Sequence, residues 1–130
     1  MDHSFKSSLS VVIPTYNEEG NIELLYTKLK ETIAPLSLEA VEFIFVDDGS
    51  QDQSLQIIKK LATKDTQVKY LSFSRNFGHQ LALKAGLDHA KFQGVVSLDA
   101  DLQHPVELIP EIINKWKSGA DVVYSKRKDQ

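Results

Sequence analysis

The chain has 130 residues, 42% hydrophobic and 25% charged, with 15 basic against 18 acidic side chains for a net charge of −3. That length and balance suit one domain with its own core and exclude a disordered chain, and the mild acidic excess argues against a general nucleic-acid binder. The absence of cysteine removes disulfides, thiolate metal sites and a cysteine nucleophile, and fits a reducing compartment.

The N-terminal stretch "MDHSFKSSLS" lacks the apolar core of a signal peptide, and no apolar run approaches the ~20 residues that span a bilayer. The expectation is a soluble, cytoplasmic domain. Five short runs rich in β-branched and aromatic residues then read as strands: 9–14, 41–47, 68–74, 94–99 and 121–126. Between them lie segments of helical period. Ile22, Leu25, Tyr26, Leu29 and Ile33 form one apolar stripe, and Leu55, Ile58, Leu61 and Ala62 another. The segment from Gly78 to Ala90 is helix-like, with Gly86 weakening it. Leu108, Ile109, Ile112, Ile113 and Trp116 mark a fourth helix, and these residues read as core. Ser50 with Gln53 fits a capping box, Pro105 a first helical turn and Gly119 a C-terminal stop.

Strand and helix alternating in this way predict an α/β fold: an open, mostly parallel, Rossmann-like sheet with helices on both faces and right-handed crossovers. The pattern stops on a strand followed by "RKDQ", so the expectation is a domain cut short. In such sheets ligands bind beyond the carboxyl ends of the strands. The segments there are "TYNEEGN", "DDGSQD", "RNFGHQ" and "DADLQHP", a rim rich in acids.

Asp99 and Asp101, two residues apart just after the fourth strand, could both turn toward one point and offer oxygens to Mg²⁺ or Mn²⁺, with Gln103 adding a neutral oxygen. An aspartate here could equally cap the helix after Pro105. Asp47 and Asp48 could supply one acceptor for a nucleobase and one loop anchor, or simply form a turn. Pro14, Tyr16, Asn17 and Glu18 follow the first strand. Tyr16 offers a flat face to a base or ribose and Glu18 a carboxylate to ribose hydroxyls. Glu19 reads as a solvated acid near a helix start. Arg75 is a planar donor suited to phosphate, and Gly78 permits an unusual backbone angle. His79 is a lone histidine that could act as a base or be structural or solvent-facing, and His104 could donate to a phosphate or simply cap.

Taken together, "VVIPTYNEEGNI", "FIFVDDGSQDQS", "SFSRNFGHQLALKAGL" and "SLDADLQHP" resemble, in that order, the family 2 glycosyltransferases. The resemblance runs from Val11 to about Lys128. It is strongest to polyprenyl-phosphate sugar transferases related to dolichol-phosphate-mannose synthase and to undecaprenyl-phosphate glucosyl- and aminoarabinose transferases. It implies the glycosyltransferase A-type nucleotide-diphospho-sugar fold. It also implies an inverting transfer of sugar from a UDP- or GDP-sugar donor to a polyprenyl phosphate lipid.

By the same resemblance Pro14, Tyr16 and Glu18 contact the nucleotide, and Asp48 reads the base with Asp47 beside it. Arg75 contributes to the donor pocket. Asp99 and Asp101 form the catalytic, metal-binding acid pair, with Asp99 also touching the nucleotide and Gln103 a further metal ligand. The cofactor is a divalent cation, Mg²⁺ or Mn²⁺. Residues 1–130 would be the N-terminal donor-binding portion of a longer enzyme, transferring sugar poorly alone. The parent would act at the cytoplasmic face of a membrane that it contacts through segments not in this chain. A phosphate-monoester acceptor is largely ionised at neutral pH, its second pKa being about 6, so it needs positioning more than a strong base.

The rival reading is a receiver-like Mg-binding signalling domain. Its acidic pair belongs after the first strand, where this chain has "PTYN". No G-x-G-x-x-G follows any strand, which disfavours a dinucleotide oxidoreductase.

Overall fold

The computed structural model describes residues 8–100 and 110–111. Its strands are β1 (Ser8–Thr15), β2 (Ala40–Asp47), β3 (Val68–Ser72) and β4 (Gly94–Ser97), with helices α1 (Ile22–Ile33), α2 (Ser54–Lys64) and α3 (His79–His89) between them. The four strands form one sheet in the order β3-β2-β1-β4, every neighbouring pair parallel. The expected parallel α/β sheet is therefore present. The expected helix over 108–116 and the strand over 121–126 lie outside the described residues.

Both faces of the sheet are covered, which is why its strands read as near-continuous apolar runs. Ile22, Leu25, Leu29 and Ile33 of α1 and Ile58 and Leu61 of α2 pack with Val11, Ile13, Phe43 and Phe45 on one face. Each fully buried aliphatic there stabilises the fold by about 2 kcal/mol. On the other face Ala82 of α3 packs with Val12, Ile44 and Val46. Gly86 belongs to this contact, since a Cβ there would lie 2.3 Å from Cγ1 of Val12. The glycine that weakened the helical reading is what lets α3 lie flat on β1.

Register brings the strand ends together. Thr15 pairs with Asp47, and Asp47 with Ser72, while Val12 pairs with Ser97. The chain runs outward from β1 to β2 to β3, then crosses back to place β4 on the other side of β1. The strand order thus reverses beside β1, the place where open α/β sheets form ligand crevices.

Local details differ from expectation where loops make tertiary bonds. β3 ends at Ser72 and β4 at Ser97, short of residues 74 and 99, because the chain there turns to build the rim. The Ser50–Gln53 capping box does not form, since α2 starts at Ser54. Ser50 Oγ instead accepts the Asn17 N–H at 2.9 Å, and Asp52 Oδ1 accepts the Ser54 N–H at 2.9 Å. Among the described residues no helix is long and apolar enough to cross a membrane.

Two polar clusters brace the opposite end of the sheet. Glu42, 1% exposed, accepts hydrogen bonds from Ser10 Oγ at 2.6 Å and the Lys91 N–H at 2.9 Å, with Lys69 Nζ at 3.6 Å. Its buried charge is thereby satisfied. Asp65 accepts from Tyr26 Oη at 2.5 Å, from Lys30 Nζ at 2.9 Å and from the Gln67 N–H at 2.9 Å. Burial alone would raise the Asp65 carboxyl, but the Tyr26, Lys30 and Gln67 hydrogen bonds and the Lys30 charge hold it below its ordinary value of 3.8. Burial, then the bond to Asp65 and its charge, push the Tyr26 phenol up to about 12.

A depressed carboxyl stabilises the fold above its unfolded value and loses that contribution as pH falls through the folded one. Asp65→Asn is therefore expected to cost about 2 kcal/mol near neutrality. In urea titrations the gap to the parent protein should close as the pH drops below 3.8. A gap that stays constant into strong acid contradicts the assignment.

Candidate functional site at the carboxyl rim

A cleft of about 320 Å³ opens where β1, β2 and β4 end. β1 and its loop contribute Pro14, Thr15, Tyr16 and Glu18. Asp48 enters from β2, Asn76, Gly78 and His79 from the turn into α3, and Asp99 and Ala100 from beyond β4. Ala82 closes the floor.

The first loop is latched to the second. The Asn17 N–H donates to Ser50 Oγ, while Asn17 Oδ1 accepts the Gln51 N–H at 2.8 Å. The Glu18 N–H donates to Ser54 Oγ at 2.8 Å and the Glu19 N–H to Asp52 Oδ2 at 3.1 Å. Glu19 Oε1 accepts the Gln53 N–H at 2.8 Å, so it ties the two loops together and is not simply solvated. Asn17 adopts φ 54°, a left-handed conformation that asparagine tolerates. Glu18 is half-buried and accepts from Asn21 Nδ2 at 2.8 Å. Tyr16, 42% exposed, presents its ring at the mouth.

Asp48 is 3% exposed and its carboxylate is engaged. Oδ1 accepts the Phe77 N–H at 2.8 Å, and Oδ2 accepts Asn76 Nδ2 at 3.0 Å and the Gly78 N–H at 3.1 Å. The residue therefore borders the cleft while anchoring the β3–α3 turn. Asp47 does not line the cleft. It is 1% exposed, Oδ2 accepts the Ser50 N–H at 3.2 Å, and Oδ1 has no partner among the described residues. Arg75 also stands outside the lining, its guanidinium 4.6 Å from the Phe77 ring centroid. Its backbone crosses directly over Gly49.

Asp99 lies two residues past the end of β4, its side chain 14% exposed, and His79 Nε2 is 2.8 Å from its Oδ1. Asp101, Gln103 and His104 lie outside the described residues. Of the sequence candidates, the structure thus brings together Pro14, Tyr16, Glu18, Asp48 and Asp99, and sets Asp47 and Arg75 behind them. His79, which the sequence singles out only as a lone histidine, lines the cleft beside Asp99. Nothing local marks it, because its contact lies 20 residues away in sequence.

Among the described residues no group of three or more histidines and acids is placed to hold a metal ion. Among the described residues, Asp99 offers a hard carboxylate oxygen to the cleft beyond the end of β4. That donor set fits an ion of the Mg²⁺ type, which is commonly held by one or two carboxylates together with substrate phosphates.

A parallel sheet with an acid-lined crevice at its strand-order reversal defines an open α/β protein with its ligand crevice at the carboxyl rim. Comparison with known proteins narrows the class. The family model described as glycosyl transferase family 2 matches residues 10–129. The uncharacterized glycosyltransferase YkcC of Bacillus subtilis (strain 168) is 49% identical over 118 residues, covering 91% of this chain and 36% of that protein. The bactoprenol glucosyl transferase of Shigella phage SfV is 47% identical over 122 residues, covering 94% of this chain and 39% of that protein. Among solved structures, the mannosyltransferase PcManGT from Pyrobaculum calidifontis, in complex with GDP-Man and Mn²⁺, superposes with TM-score 0.66 at 26% identity. That match covers 87% of this chain and 32% of PcManGT. The chain belongs to the family 2 glycosyltransferases, and its sheet has the glycosyltransferase A-type fold. It spans well under half the length of the curated relatives it matches.

Proposed function

We propose that this chain is the donor-binding portion of a glycosyltransferase that takes a sugar from a UDP- or GDP-sugar and delivers it to a polyprenyl phosphate. The observation that carries the reading is the meeting of Glu18, Asp48 and Asp99, from three separate loops, around one cleft at the strand-order reversal. A volume of about 320 Å³ is within the range of small-ligand pockets. The bactoprenol glucosyl transferase relative supports a lipid-phosphate acceptor and membrane contact through the rest of the protein, and PcManGT, with its bound GDP-Man and Mn²⁺, supports a nucleotide-sugar donor.

In this reading Tyr16 stacks on the base or ribose and Glu18 accepts from ribose hydroxyls. Asp48 faces the base while holding the turn at 76–78. Asp99 stands at the diphosphate end, with Asp101 and Gln103 proposed beside it. A bound divalent cation would neutralise charge on the departing nucleoside diphosphate. The acceptor, already ionised, would be activated chiefly by positioning.

Calorimetric titration with UDP and with GDP, each with and without Mn²⁺, tests the proposal. One nucleotide is expected to bind at least tenfold more tightly with Mn²⁺, and Asp99→Asn should remove that gain, whereas Lys59→Ala, on the exposed side of α2, should not. Binding of neither nucleotide under any condition refutes the proposal.

A further inference from the structure

We propose that His79 is a positioning residue for Asp99, and that Asp48 sets His79 in place through the turn at residues 76–78. The inference rests on the donor-site reading above and adds a division of labour to it.

His79 is the first residue of α3 and follows Gly78, whose φ is 109°. The turn that carries both hangs on the Asp48 carboxylate, which accepts from Asn76 Nδ2, the Phe77 N–H and the Gly78 N–H. Residues 79, 82 and 86 share one face of a helix by their spacing. Ala82 is fully buried in the sheet contact, and Gly86 leaves no room even for a methyl group against Val12. α3 therefore packs closely against β1, and this sheet-facing stripe ends at the rim in the His79 imidazole. There Nε2 lies 2.8 Å from Asp99 Oδ1.

A carboxylate offers only acceptors, so Nε2 carries the hydrogen and donates it. Asp99 lies beyond the last strand pairing of β4, at Ser97. The Leu98 N–H still bonds the Val12 carbonyl at 3.0 Å, and one residue further on the imidazole supplies a direction for one carboxylate oxygen of Asp99. Partners of this kind orient anionic ligands, and their loss typically lowers metal affinity 10–100-fold. In this scheme Asp48 sets the position of Asp99 through the turn at 76–78 and the His79 ring.

The test measures the affinity of UDP and of GDP in Mn²⁺ and in EDTA for the parent protein, His79→Ala and His79→Gln, with a thermal melt of each ligand-free variant. His79→Ala should lower the Mn²⁺-dependent affinity about tenfold or more, leave affinity in EDTA within about twofold, and melt close to the parent. His79→Gln, which keeps an N–H donor at similar reach, should recover most of the loss. A purely structural role would instead move the melt and both affinities together, and that result overturns the proposal. So does His79→Ala binding as tightly as the parent in Mn²⁺, or His79→Gln failing to recover. If the parent binds neither nucleotide, the donor-site reading falls and this inference with it. A parent that binds beside an indifferent His79→Ala removes the inference alone.

Discussion

Asp48→Ala is expected to cost about 3–5 kcal/mol of folding stability and to abolish nucleotide binding. The Asp48 side chain accepts from the Phe77 and Gly78 backbone N–H groups and from the Asn76 amide, and it is 3% exposed. Hydrogen bonds to a charged acceptor contribute about 1.5–3 kcal/mol each, and donors left without one keep their full desolvation cost. Asp48→Asn preserves shape but turns an NH₂ toward groups that are themselves donors, so about half the loss should remain. Asp47→Asn supplies the contrast. Among the described residues the Asp47 side chain holds only the Ser50 N–H, and its other carboxylate oxygen has no partner. That substitution should stay within about 1 kcal/mol. Urea unfolding of the three variants checks the order, and an Asp47 variant as damaged as Asp48→Ala contradicts it.

Gly49→Ala should be the most damaging single-methyl change on the rim. Gly49 has φ 73°, a left-handed conformation that costs a residue with a Cβ about 1–2 kcal/mol. The added methyl would also lie 2.2 Å from the Arg75 carbonyl carbon, 2.4 Å from the Asn76 nitrogen and 2.6 Å from the Arg75 oxygen. These are backbone atoms of the very turn that Asp48 anchors, so relief requires breaking that anchor. The combined loss should exceed about 3 kcal/mol. Gly20→Ala, where nothing lies within 4 Å of the new methyl and φ is not positive, should be near neutral or slightly stabilising. Comparable melting temperatures for the two variants would contradict the close crossing of the second and third rim loops.

Much of the fold was legible because its signals are local. An apolar run of strand length, such as 9–14 or 41–47, announces burial on both sides, and the stripe from Ile22 to Ile33 announces a helix with one covered face. Where local grammar competed with a tertiary bond, it lost. The Ser50–Gln53 cap is absent because α2 starts only at Ser54, and the Ser50 hydroxyl serves the Asn17 N–H instead. Gly86 argued against a helix by intrinsic propensity, yet it sits in one because close packing on Val12 outweighs the roughly 1 kcal/mol at stake.

The sequence by itself determined that strands alternate with helices, that the sheet is parallel, and that acids gather where the strands end. Each of these follows from periodicities of a few residues and from the fact that parallel strands point their carboxyl ends the same way. Only the tertiary structure decided what each acid does. Asp48 meets its donors 28 to 30 residues away, and Asp99 meets His79 across 20. Such pairings depend on the strand order and on how closely α3 lies against β1, quantities that no short window of residues encodes.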